Sequence, residues 1–309
     1  MNIPSPDQFE ARFDDPIWLE VGRQICLRHR VSFDTIARAE HGESVVLLVG
    51  NAYILKIYKP SKKGFEREKA AFEFVAGRTR LTVPEIIASG EIEEYRYLLT
   101  TRIEGELMIK ADWLRLDKRS QIRFIEELAA GLKELHSLDG YSVPFDWNSF
   151  VKHQAGRALE RQRSEGGNPE WLESLPAFID ENLGLLPTEF DTAFMHGDVH
   201  FGNIRVVVEN GQPKISGIFD FADSLSGFHE YEFIAVGVLM IQGQGDLQRE
   251  FFRSYGYKDH EIDETFRQRM MLLTVFYEWS SLRRYAERLR PEAMKYSLAE
   301  LERAIWSFA

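Results

Sequence analysis

The chain has 309 residues, 44% hydrophobic and 28% charged, with 49 acidic against 38 basic side chains for a net charge of -11. That length and balance allow two modest cores and exclude a disordered chain or a coiled coil, while the acidic excess argues against a general nucleic-acid binder, whose phosphate contacts need surplus Lys and Arg. The longest apolar stretch, residues 233–241, is far short of the ~18 residues a membrane span needs, and Met1-Asn2-Ile3-Pro4 opens no basic-then-apolar leader, so a cytoplasmic protein is expected.

Ser5 to Gln8 has capping-box spacing, and Asp15 before Pro16 reads as a helix start, so two short helices are expected to open the chain. Cys26, the only cysteine, falls in the second of them as a core or helix-surface thiol. From Ser32 onward, β-branched and aromatic runs predict strands over 45–49, 53–58, 86–89 and 95–101. A helix over 65–75 interrupts them, with Phe65, Ala70, Phe72 and Val75 as its expected buried residues.

After Gly105 the pattern becomes helical. Ile122, Ile125, Leu128, Leu132 and Leu135 predict a helix over 119–136, and Asp259 is expected to cap a long helix running towards Leu289. One β interruption, 204–208 and 215–221, is joined across Asn210-Gly211, a strong hairpin signal. The expected plan is α+β and bilobal. Residues 1–104 form a small antiparallel sheet with one main helix and a helical preamble, residues 105–309 form a larger helical lobe, and a cleft lies between them.

The sharpest string is His196-Gly197-Asp198-Val199-His200-Phe201-Gly202-Asn203, which fits the spacing H-x-D-x-x-x-x-N. A hydroxyl that accepts a phosphoryl group needs a carboxylate to orient it and take its proton, and a short loop can return an amide oxygen to the metal on the nucleotide phosphates. Asp198 suits the first task and Asn203 the second. The Asn210-Gly211 hairpin then brings the chain back to Asp220, a second hard oxygen ligand for magnesium. Two other readings of the string stand beside this one: a braced turn, or a transition-metal site on His196, Asp198 and His200.

Such chemistry also requires a lysine on a strand for the phosphates and a carboxylate on the next helix to hold it. Lys56 lies in the apolar run Tyr53-Ile54-Leu55-Lys56-Ile57-Tyr58, where an unpaired ammonium facing a core would be costly. Glu68 is its expected partner, with Glu66 as the fallback and a solvent-facing edge strand as the alternative.

On these residues the chain resembles the aminoglycoside phosphotransferase-like kinase superfamily, which includes choline, homoserine, methylthioribose and fructosamine kinases. The resemblance runs from about Ile36 to Glu232 and is strongest over 195–203 and 218–232. It implies ATP or GTP with Mg2+ as cofactors, and a hinge at Leu98-Leu99-Thr100-Thr101-Arg102-Ile103-Glu104-Gly105, where Thr101 and Ile103 offer backbone groups to adenine. It also implies a phosphate-covering loop at His41-Gly42-Glu43-Ser44, although Gly42 is its only glycine. Glu232 is expected to bond the backbone of the catalytic loop. Phe228-His229 stands where the family usually has Asp-Pro.

Residues 164–195 contain seven carboxylates and no Lys or Arg, so a cationic, aminoglycoside-like alcohol is one expected acceptor, and a plain solvated surface is the competing reading. Tyr277, Trp279, Tyr285 and Trp306 could line an apolar site, but aromatics at helical spacing are more often core. A protein kinase of the same fold and a non-catalytic nucleotide-binding scaffold also stay open. The intact Lys56, Asp198, Asn203 and Asp220 weigh against the scaffold, and the lack of an activation segment between Asp220 and Glu232 weighs against the protein kinase. The expected partners are a nucleotide triphosphate and a small hydroxyl compound, with no nucleic acid and no membrane.

Overall fold

The computed structural model describes residues 3–39, 44–60, 64–141 and 143–308. Two compact units divide the chain: residues 1–104 with 216–224, and residues 105–215 with 225–309. The hairpin segment 216–224 therefore packs with the first unit although it lies far along the chain. Among the described residues no helix is long and apolar enough to cross a membrane.

In the first unit, helix α1 (Ile17–Arg28) precedes β1 (Ile36–Arg38), β2 (Val45–Val49), β3 (Tyr53–Tyr58), α2 (Gly64–Val75), β4 (Ile86–Ile92) and β5 (Tyr95–Thr101). The five strands form one antiparallel sheet in the order β1-β2-β3-β5-β4. Strand alternation assigns its two faces. Val45, Leu47, Val49, Leu55, Ile57, Tyr97 and Leu99 point to a core shared with Trp18, Val21, Ile25 and Cys26 of α1. Gly22 lets α1 approach closely, because a Cβ there would lie 2.4 Å from Leu47. Ahead of α1 the chain makes a single turn of 3-10 helix, Pro6–Gln8, and the carboxylate of Asp15 accepts the Ile17 N–H at 2.9 Å.

Helix α2 buries Glu68, Ala71, Phe72 and Val75. Phe65 and Ala70 are only half-buried, which corrects the expected face by one position. The helix is turned so that Glu68 points inward, and Phe72 then meets Phe221 edge-on with ring centroids 5.7 Å apart.

The second unit begins with β6 (Glu106–Leu107), α3 (Lys110–Arg115), α4 (Lys118–His136), α5 (Trp147–Ser164) and α6 (Pro169–Asn182). Then come β7 (Ala193–Met195), β8 (Ile204–Glu209), β9 (Gln212–Ile218, whose last three residues belong to the first unit) and β10 (Leu225–Gly227). The helices α7 (Phe233–Ala235), α8 (Gly245–Tyr255), α9 (Glu264–Phe276), α10 (Leu282–Leu289) and α11 (Leu298–Ile305) complete it. Between β8 and β9, Asn210 and Gly211 both take positive φ, 52° and 74°, the backbone a tight two-residue hairpin demands.

The single long helix expected from Asp259 towards Leu289 is not formed. Asp263, not Asp259, caps α9 by accepting the Phe266 N–H at 2.9 Å, and the helix stops at Phe276. The cause is tertiary. Arg161 of α5 donates to the carbonyls of Val275 and Glu278 at 3.1 and 3.2 Å, and Gln162 donates to Ser280 while accepting the Leu282 N–H at 2.8 Å. Helix α5 thus consumes the groups that would have continued α9, and Ser281 restarts the chain as the cap of α10.

Candidate active site

In the first unit, Lys56 lies on β3 with neighbours Leu55 and Ile57 fully buried on the opposite face. Its ammonium donates to Glu68 Oε2 and to Asp220 Oδ1, each at 2.7 Å, and the Tyr58 hydroxyl donates to the same Glu68 oxygen at 2.6 Å. Burial alone would lower the pKa of Lys56, but the carboxylates of Asp220 and Glu68 outweigh it and hold the ammonium above its ordinary range. Glu68 is pushed upward by burial, with Lys56 opposing that shift. Glu66, the fallback partner, instead pairs with Arg96 on the exposed side of α2. Asp220 follows β9 in the left-handed region at φ 68°, a backbone that Asp tolerates better than most residues. Its side chain keeps 44% of its surface accessible.

The hinge segment is also in this unit. The Thr101 N–H donates to the Glu85 carbonyl at 2.9 Å, and its hydroxyl accepts the Glu85 N–H at 2.9 Å, so the Thr101 N–H is already spent. Ile103, by contrast, has neither its N–H nor its carbonyl bonded among the described residues. Ser44 lies half-buried just before β2, while His41, Gly42 and Glu43 of the expected phosphate loop are outside the described residues.

In the second unit, β7 delivers the chain to His196-Gly197-Asp198. The carboxylate of Glu232 accepts the N–H groups of His196 and Gly197 at 2.6 and 2.9 Å, a buried clamp on the turn that presents Asp198. Gly197 takes φ 87°, which a side chain would strain. Asp198 Oδ1 accepts from the Tyr277 hydroxyl at 2.9 Å, and Oδ2 lies 3.2 Å from His200 Nε2. His200 Nδ1 accepts the Gly202 N–H at 2.9 Å, so its proton resides on Nε2 and is directed at Asp198. Burial works against the charge of Asp198, but the hydrogen bond from His200, the electrostatic pull of the His200 and His196 rings and the bond from Tyr277 outweigh it, and the carboxyl sits below its usual range. Asn203 Nδ2 donates to the Asp198 carbonyl at 3.0 Å, which leaves Oδ1 as its remaining polar atom. That is the hard oxygen a magnesium ion prefers.

The transition-metal reading does not survive this geometry. His196 Nδ1 faces the Asp198 N–H at 3.2 Å and His200 Nδ1 faces Gly202, and among the described residues no three His, Cys, Asp or Glu side chains converge as a metal site. Of the C-terminal aromatics, Tyr277, Tyr285 and Trp306 are core, whereas Trp279 is 48% exposed. Tyr277 is the Asp198 partner that pattern reading missed. Its only sequence signal is an aromatic position inside an apparently continuous helix.

Behind the clamp lies a buried polar group around His229. Arg269 forks onto Glu230 at 2.6 and 2.8 Å, Tyr257 donates to Glu230 at 2.7 Å, and the Tyr257 oxygen is thereby left to accept from His229 Nε2 at 2.9 Å. Burial, with the neighbouring His136 and Arg269, lowers the His229 pKa to about 4. Between that value and the ordinary ~6.5 the unfolded chain binds a proton that the folded chain does not, so stability falls as pH drops through this window, by at most about 3 kcal/mol. Urea midpoints taken from pH 7 to pH 4.5 should show this acid loss, and His229→Gln should flatten it; an equal slope in the variant assigns the loss to other groups.

A five-stranded antiparallel sheet carrying a paired lysine, followed by a mainly helical unit carrying an aspartate loop, is a protein-kinase-like fold. The chain belongs to the phosphotransferase enzyme family, which matches residues 35–271. Solved structures agree on the fold. The GDP complex of wild-type aminoglycoside 2'-phosphotransferase-IIIa superposes with a TM-score of 0.70 at 15% identity, over 94% of this chain and 98% of that one. The streptomycin-ATP-APH(2")-IIa ternary complex gives 0.60 at 16% identity over 93% and 97%, and APH(4)-Ia gives 0.62 at 16% over 94% and 98%. A sequence search of curated proteins returns no match.

Proposed function

We propose that the protein transfers the γ-phosphoryl group of a nucleoside triphosphate to a hydroxyl of a small molecule, with Asp198 as the base. The observation that carries the proposal is the state of Asp198. It is an ionised carboxylate with its oxygens set by Tyr277 and His200, on a loop whose backbone is clamped by Glu232. A carboxylate so held can orient an alcohol and take its proton as the phosphoryl group moves across. Lys56, steadied by Glu68, supplies a fixed positive charge for the phosphates, and the unbonded backbone groups of Ile103 suit the edge of a purine. Asn203 and Asp220 are the residues that would hold magnesium, and the ion would supply positive charge to offset that of the phosphates. The roles of Ser44 and Thr101 rest on family position. Thr101 can offer only its carbonyl.

A cationic acceptor is the reading the charge distribution favours. Of the carboxylates over 164–195, Glu165 pairs with Arg284 at 2.8 Å, while Glu170, Glu173, Asp180, Glu181, Glu189 and Asp191 are all exposed without an intervening Lys or Arg. Such a one-signed surface raises the local concentration of a polyamine or amino sugar. Three of the solved relatives carry kanamycin, streptomycin or gentamicin, which accords with that class. The test is magnesium-dependent ADP release against aminoglycosides, macrolides, choline, homoserine and model proteins. Stimulation by an amino-bearing alcohol is expected. Stimulation by a neutral macrolide or a protein alone would overturn the cationic acceptor, and ATP binding without turnover in the whole panel or in water would overturn the enzyme reading.

A further inference from the structure

We infer that Tyr277 is a positioning residue that sets the orientation of the Asp198 carboxylate, and that the break between α9 and α10 exists to place it. The inference rests on the reading of Asp198 as the base. A carboxylate turns easily about its last bond, so the plane in which its lone pairs meet an incoming hydroxyl is undefined unless something holds it. Here the Tyr277 hydroxyl donates to Oδ1 at 2.9 Å while His200 Nε2–H faces Oδ2 at 3.2 Å. Turning the carboxylate would break a charge-assisted hydrogen bond on each side.

The placement of Tyr277 is itself constructed. Its ring is buried, and a buried hydroxyl that bonded nothing would cost free energy that phenylalanine avoids. Had the sequence continued α9 through this position, the side chain would follow the helix surface. Instead the backbone turns extended at Tyr277, with ψ 134°, because Arg161 and Gln162 take the polar groups on either side. The next N–H, that of Glu278, donates to the Tyr231 hydroxyl at 3.0 Å, and the Tyr231 and Tyr277 rings pack with centroids 5.6 Å apart. Tyr231 immediately precedes Glu232, the clamp on His196 and Gly197. Neighbouring residues of one short turn therefore hold the catalytic loop in two ways: Glu232 directly by its backbone, and Tyr231 through Tyr277 by the Asp198 side chain.

The test is Tyr277→Phe, which keeps the ring and removes the hydroxyl. Turnover of magnesium ATP, with water as acceptor and again with any panel alcohol that stimulates it, should fall about 10- to 100-fold, the usual weight of a hydrogen bond to a charged group. The KM for ATP should not change. In an Asp198→Ala background the same substitution should cost little more, because the short bond of the Tyr277 hydroxyl is to that carboxylate and its other acceptor, the Gly197 carbonyl, lies farther off at 3.4 Å. Wild-type turnover in Tyr277→Phe, or an equal loss in both backgrounds, would overturn the inference. Should Tyr277→Phe fail to fold, Tyr231→Phe carries the same comparison with a smaller expected loss. If the wild-type protein shows no turnover, the functional reading fails separately, and crystal structures of wild type and Tyr277→Phe still decide the contact. Asp198 turned away in the variant supports it, and an unmoved carboxylate refutes it.

Discussion

Replacing Asp198 by alanine should lower turnover by about 10²- to 10⁴-fold, the range a positioned general base contributes, while nucleotide affinity stays nearly intact. The separation follows from where Asp198 sits. Its contacts are Tyr277, His200 and the loop itself, all in the second unit, and none is a nucleotide-binding group of the first. Asp220→Ala should behave differently and weaken magnesium-nucleotide binding, because Asp220 is both a proposed metal ligand and a partner of Lys56. Titration calorimetry with magnesium ATP beside ADP-release kinetics distinguishes the two. Unchanged turnover in Asp198→Ala removes it as the base, and a parallel loss of affinity would make it a binding group instead.

Lys56→Met should damage both stability and binding, and the two can be separated. The substitution leaves Glu68 buried, with only the Tyr58 hydroxyl still donating to it. Removing one partner of a buried ion pair costs about 3–5 kcal/mol. The Asp220 side of the pair adds little to that figure, since its half-exposed carboxylate can turn to water. The deficit should shrink as pH falls, because Glu68 already has a raised pKa and, without its lysine, escapes the penalty by taking a proton that the unfolded chain binds only at lower pH. Adding Glu68→Leu should restore most of the stability at pH 7.5 but none of the nucleotide affinity. Urea denaturation at two pH values and calorimetry on the single and double variants check this. Recovery of binding in the double variant would show that Lys56 is there for the fold and not for phosphates.

These predictions draw on two kinds of information that the sequence holds unequally. Local chemistry is legible in it. A lysine in an apolar strand run needs a carboxylate, an Asn-Gly pair between β-branched segments needs a tight turn, and eight residues from His196 to Asn203 carry the proposed base and the proposed metal ligand at a spacing few other sites require. Strands β2, β3 and β5 have the bounds their patterns predict, because period-2 alternation and turn residues act within a few positions of one another. The family match extends over residues 35–271, a range that includes those short segments.

What only the tertiary structure decided are the contacts in which distant residues compete for the same backbone. Helical periodicity continues smoothly through 277, so nothing local ends α9. Arg161 and Gln162, more than a hundred residues earlier, do so by taking its carbonyls and the N–H that follows. The one-position rotation of α2 likewise comes from Lys56 drawing Glu68 inward, against a helical wheel that would have faced Ala70 to the core. Composition and spacing establish which groups the chemistry can use. Whether a tyrosine hydroxyl meets Asp198 depends on where a helix is forced to stop, and that is set by hydrogen bonds from another helix.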